Sequence, residues 1–114
     1  MRIDLDIETH DRSLGFDIAG VDGKLRSGAI VKVPGGASLE YRGSLVRKAV
    51  DIPEVLKFIV DASVNVDLGI LSAWLYDKVK TKSVERIVMS RRVITEITQD
   101  RIRQVLVEVI RPDE

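Results

Sequence analysis

The segment Arg2-Ile3-Asp4-Leu5-Asp6-Ile7-Glu8 alternates strictly, with apolar residues at odd positions and charged ones at even positions. Only an extended chain sorts this pattern onto two faces, because strand side chains alternate with period two whereas a helix would scatter them around its circumference. The same period returns at Val84, where Val84, Arg86 and Val88 oppose Glu85, Ile87 and Met89, followed by Ser90-Arg91-Arg92 and a run from Val93 to Ile97. That pattern predicts a hairpin with two arginines at its tip. Near the start, a polar turn at Asp11 to Ser13 leads into Leu14, Phe16 and Ile18, so Leu14 to Ile18 is expected to pair with the first strand. Ala29 to Val33 reads as a short strand closed by Pro34-Gly35-Gly36, a plain turn, and Leu39 to Tyr41 as a further strand. The first strand is expected at a sheet edge, where its solvated charges discourage unwanted pairing.

At Asp51 the period changes. Asp51 is suited to cap a helix and Pro53 to occupy its first turn, and apolar side chains from Ile52 to Val79 then cover most of a helical circumference. Lys57, Asp61, Asn65, Gly69, Ser72 and Tyr76 leave only a narrow polar stripe. A helix from Asp51 to Lys80 would run to roughly 45 Å. That is long for a chain of 114 residues, so either a kink or a second helix capped by Asp67 is expected, with Gly69 weakening the junction. Thr98 caps a last helix with Asp100 in its first turn and a stripe of Ile102, Val105, Leu106, Val109 and Ile110. Pro112 ends it. The expectation is one α+β domain over residues 1–112 with a tail at 113–114. Its mostly antiparallel sheet of N-terminal strands plus the C-terminal hairpin packs on the long apolar helix, kinked or divided, and the short closing helix.

Composition removes many kinds of chemistry. The chain has no cysteine and a single histidine, His10, which excludes disulfide scaffolds, thiolate nucleophiles, zinc ribbons and iron-sulfur clusters, and any relay built on another histidine. The run from Phe58 to Leu75 approaches membrane-spanning length, but Asp61, Asn65 and Asp67 interrupt it. A carboxylate at mid-bilayer costs about 2.5–3.5 kcal/mol even on a lenient insertion scale, so no membrane span is expected. Residues 1–11 carry four acids against one arginine and no apolar run, unlike a signal peptide, and a cytoplasmic protein is the expectation.

The formal charge of zero, 18 bases against 18 acids, is a cancellation. Residues 1–22 hold six acids and two bases, and residues 77–103 hold eight bases and four acids. Either the two ends form opposite surface patches that steer a partner, or they lie side by side in the fold and neutralise each other.

Three constellations could carry function. Asp4, Asp6, Glu8 and His10 occupy alternate positions and share one face of a strand, and hard cations such as Mg²⁺ are held by converging carboxylate oxygens. Leu5-Asp6-Ile7-Glu8-Thr9 resembles the first motif of the DEDD-type 3′-5′ exonucleases, which implies a metal-dependent nuclease as the alternative function. Lys78, Lys80, Lys82, Arg86, Arg91 and Arg92 join a helix end to a hairpin and could meet phosphate, which would make the chain a nucleic-acid-binding accessory protein. None of its five aromatic residues lies beyond Asp77 to supply stacking. Trp74, within Leu71-Ser72-Ala73-Trp74-Leu75-Tyr76, is a core residue or an interface anchor.

The block from Val66 through Ile110 comprises an apolar helix ending in Ala-Trp-Leu with a basic tail, a hairpin and a short closing helix. This resembles the small effector-associated domains of prokaryotic conflict systems, and the resemblance implies a non-catalytic adaptor that self-associates and recruits an effector. The leading expectation is therefore a bacterial or phage protein-interaction module, a homodimer with a protein partner, with no catalytic residue and no cofactor. Arg91, Arg92, Lys82, Arg86 and Trp74 are its expected partner contacts.

Overall fold

The computed structural model describes residues 1–46 and 52–112. In chain order the elements are β1 (Arg2–Thr9), α1 (Leu14–Ala19), β2 (Ile30–Val33), β3 (Ala37–Leu45), β4 (Glu54–Ala62), α2 (Leu68–Val79), β5 (Val84–Met89), β6 (Arg92–Ile94) and α3 (Gln99–Ile110). All six strands form one antiparallel sheet in the order β2-β3-β4-β1-β5-β6. The α+β class, with a mostly antiparallel sheet of N-terminal strands and the C-terminal hairpin, is as expected.

The alternation of β1 works as its pattern requires. Ile3, Leu5 and Ile7 are buried, and Phe58, Val60, Leu39, Tyr41, Ile87 and Met89 fill the same face from neighbouring strands. Leu14 and Ile18 of α1, Leu71 and Leu75 of α2, and Ile102, Val105 and Leu106 of α3 close over them as a single core. Each fully buried aliphatic side chain of this kind contributes about 1.5–3 kcal/mol relative to exposure.

Three expectations are corrected. First, Leu14 to Ile18 is not a strand but the helix α1. The Asp11 carboxylate accepts hydrogen bonds from the Ser13 backbone N–H (2.8 Å) and its hydroxyl (2.6 Å), an Asx turn that starts the helical path. Leu14 and Ile18 satisfy an i, i+4 spacing as well as a period of two, and the helix leaves Phe16 half exposed.

Second, the long helix from Asp51 to Lys80 does not exist as such. Glu54–Ala62 is a strand, and only Leu68–Val79 is helical. In β4 the side chains of Leu56, Phe58, Val60 and Ala62 are buried, while Val55, Lys57, Ile59 and Asp61 face the other way. Because β4 lies inside the sheet, its second face also holds apolar residues, and this imitates a helix that is apolar all round. The expected cap at Asp51 lies outside the described residues. The expected cap at Asp67 is present, its side chain accepting from the Ile70 backbone N–H at 3.0 Å. Gly69 lies within the first turn of α2, not at a break.

Third, β1 is not an edge strand. It pairs with β4 on one side and β5 on the other, so its charged residues stand in the middle of a sheet face.

Smaller adjustments follow from the turns. The β5–β6 loop is two residues, Ser90 and Arg91, both at positive φ (44° and 75°), while Arg92 belongs to β6, which stops at Ile94. Paired positive φ values suit the right-handed twist of a hairpin. The Pro34-Gly35-Gly36 turn joins β2 to β3 as expected and also docks on the start of α2. The Asp67 N–H donates to the Gly35 carbonyl at 2.7 Å and the Ser63 N–H to the Gly36 carbonyl at 3.0 Å. Thr98 caps α3, accepting from the Arg101 N–H at 3.2 Å. No helix among the described residues is long and apolar enough to cross a membrane.

Candidate functional site

With the core on one face of the sheet, strand register decides what stands on the other. From β1 come Arg2, Asp4, Asp6 and Glu8. Beside them on β4 are Asp61, Ile59, Lys57 and Val55 in the pairs Arg2↔Asp61, Asp4↔Ile59, Asp6↔Lys57 and Glu8↔Val55. On the other flank of β1, Val88 lies opposite Asp6 and Arg86 opposite Glu8, with Val93 of β6 beyond Val88. On β3 and β2 the row continues through Glu40 opposite Ile59 and Ile30 opposite Glu40. No helix among the described residues packs on this face. Ile30 remains 64% exposed and Val93 49% exposed, while Val55, Ile59 and Val88 are half-buried among charged neighbours.

Most of the charges are paired. Glu8 accepts two hydrogen bonds from the Arg86 guanidinium, one at 3.0 Å from Nη2, and this holds Arg86 above its usual pKa. Asp6 pairs with Lys57 at 3.3 Å. Glu40 receives Arg42 at 2.6 Å and Arg2 at 3.8 Å. Asp4 has no ionic partner among the described residues. It lines a shallow depression with Asp6, Val88, Ser90 and Arg91, and its carbonyl accepts from the Ser90 N–H at 3.0 Å, which seats the hairpin tip beside β1.

The four proposed metal ligands thus start from one strand but do not converge. Asp6 and Glu8 are held by cations, and His10 lies beyond the end of β1, its Nε2 2.6 Å from Glu85 Oε1. A register shift between Glu8 and Thr9 puts Thr9 opposite Val84 and leaves Glu85 free to reach His10. Among the described residues no group of three or more His, Asp and Glu side chains is placed to hold a metal ion.

The five proposed partner contacts are also dispersed. Lys82 is the hub of the β1–α1 loop, 2.8 Å from Asp17, 3.9 Å from Asp11 and 3.4 Å from the Ser13 hydroxyl. The hydrogen bond with Asp17 raises its pKa, and the Ser13 hydroxyl and backbone N–H lower that of Asp11. Buried Thr9 ties this loop down by donating to the Lys82 carbonyl and accepting from the Asp11 N–H. Arg86 is taken by Glu8, and Arg92 reaches Glu108 of α3 at 3.3 Å. Trp74 sits on α2, on the opposite side of the sheet, packed against the core with the Lys78 ammonium 5.9 Å from its ring centroid. Arg91 alone of the five stands on the open face without an ionic partner among the described residues. The acidic start and basic end of the chain are therefore neighbours, joined through Glu8–Arg86, His10–Glu85 and the contacts of Lys82.

Sequence reasoning missed the apolar members of this face. Ile30, Ile59, Val88 and Val93 come from four strands and meet only through strand order. The available signal was the pair of apolar parities in residues 55–60, which marks a strand flanked on both sides. Comparison of the chain with protein-family models, with curated proteins and with solved structures finds no match.

Proposed function

We propose that the chain is a non-enzymatic protein-interaction module that acts in the cytoplasm and docks a polypeptide on the open face of its sheet. The observation that carries this reading is the face itself, where Ile30, Val55, Ile59, Val88 and Val93 stand among alternating charges with no helix over them. The exposed apolar residues supply area to bury, and the surrounding charges of both signs select the partner. The resemblance of Val66 to Ile110 to effector-associated adaptor domains supports the same conclusion. A nuclease would need Asp6 and Glu8 released from Lys57 and Arg86.

The test is site-specific photocrosslinking in the native cell. A photoreactive residue at Val88, on the open face, is compared with one at Phe16, on the exposed side of α1. The expected result is polypeptide adducts at Val88 and few at Phe16. Nucleic-acid adducts at Val88, or none of any kind, would overturn the reading.

A further inference from the structure

We infer that the occupant of the open face is a second copy of this chain, seated face to face about a two-fold axis that runs along the strands between β4 and β1. This rests on the reading of that face as a docking surface and adds its partner and geometry. The sheet has six strands and its midline falls between β4 and β1. An axis lying there lays β4 of one copy over β1 of the other and preserves the rows. The strand pairs Asp6↔Lys57 and Arg2↔Asp61 are then repeated between copies, with each Lys57 facing the other copy's Asp6 and each Asp61 the other copy's Arg2.

Row by row, the two central columns carry opposite charges or an apolar residue against a charge, and never like charges. Asp4, without an ionic partner among the described residues, lies one row from the other copy's Lys57, within the reach of a long side chain across neighbouring rows. Twisted sheets pack face to face with strands about 30° apart, so register is best kept near the axis, where these pairs are.

Other two-folds fare worse. An axis across the strands stacks β1 on β1 with its rows reversed and, centred at Asp6, sets Asp6 against its own copy and Asp4 against the other copy's Glu8, an arrangement that like charges penalise. An axis between β1 and β5 keeps some opposite charges together but leaves β2 and β3 uncovered. Area decides between it and the midline. Six strands about 4.8 Å apart, with rows about 3.3 Å per residue, give a face roughly 25 Å on a side. A stable pairing buries about 800 Å² on each partner, more than the roughly 600 Å² such a face projects, so all six strands and the side chains standing off them must be used, and only the midline axis covers all six.

The chain contains no cysteine, which makes the test direct. Ile30→Cys and Val93→Cys proteins are prepared separately, mixed, and treated with a short bis-maleimide. The midline axis lays β6 of one copy over β2 of the other, which brings residue 93 to within a row of residue 30, whereas each lies about 24 Å across the sheet from its own copy, so the mixture should give cross-linked dimer in several-fold greater yield than either variant alone. Sedimentation equilibrium on the unmodified chain should show a dimer. Lys57→Glu should weaken it by about tenfold or more, and Asp6→Lys added to Lys57→Glu should restore it, with circular dichroism confirming the fold of each variant. A monomer at millimolar concentration, equal cross-linking in the unmixed Ile30→Cys sample, or a dimer indifferent to Lys57→Glu would each overturn the proposal. If the chain is monomeric yet Val88 photocrosslinks a different polypeptide, self-pairing fails and the docking reading stands. If Val88 captures no polypeptide at all, both fail.

Discussion

Gly35 shows how much one backbone position can hold. It sits at φ +97°, and a Cβ there would lie 2.8 Å from the Asp67 carbonyl oxygen that begins α2. Gly35→Ala therefore combines left-handed strain with displacement of the helix start, and should lower unfolding free energy in urea by about 2–3 kcal/mol. Gly43 is at φ +106° with nothing within 4 Å of its added Cβ, so Gly43→Ala carries the backbone part alone, about 1 kcal/mol. Equal losses at the two sites would show that the contact with α2 is unimportant. At the hairpin tip the sign reverses. Arg91 occupies a position at φ 75° that a glycine enters freely, and Arg91→Gly should stabilise the fold by about 0.5–1 kcal/mol, read as a higher urea midpoint with unchanged slope. At this scale the sequence was partly legible. Asp67 and Thr98 were recognisable as caps because a short polar acceptor stood just before an apolar run. The role of Lys82 was hidden, since Asp11, Ser13 and Asp17, which surround it, lie some 70 positions away in the chain.

Among the elements, α1 and β4 were misread for opposite reasons. Leu14 and Ile18 fit both periods, and the decision lay with the Asp11–Ser13 turn, a local hydrogen bond to which hydrophobic spacing is blind. In β4 the alternation was present but masked, because an interior strand of a half-open sheet keeps Val55 and Ile59 on its second face. The helices themselves rest on packing and on their caps. Asp67→Ala removes the side-chain acceptor of the Ile70 N–H, and should cost about 1 kcal/mol of thermal stability. No change in Tm would mean that packing of Leu68, Leu71 and Leu75 alone starts α2 at this residue.

For the whole molecule, pH sensitivity follows from the loop that joins β1 to α1. Ser13 holds the Asp11 carboxyl below its ordinary 3.8, so folding favours its charged form. That contribution is complete above the ordinary value and is lost as pH falls through the lowered one. Lys82, raised above its ordinary 10.5 chiefly by the hydrogen bond with Asp17, contributes fully below that value and loses its part as pH rises through the raised one. A Tm profile should therefore fall at both extremes. Ser13→Ala removes the hydroxyl bond but keeps the backbone one, so it should take away the larger part of the Asp11 contribution to the acid limb as pH falls below the ordinary value, and leave the alkaline limb in place. An unchanged acid limb would sever Asp11 from folding. The strand order carries a further consequence, in time as well as space. β1 is made before either neighbour, and β4 begins 45 residues after β1 ends, with β5 later still. At about 5–20 residues per second of synthesis, the future centre of the sheet waits seconds for its first partner, and until Val84–Met89 emerges one side of it stays an open edge. A chain arrested before β5 would thus present its most regular strand with one edge unpaired, and the last hairpin made is the one that shields the first strand from aggregation.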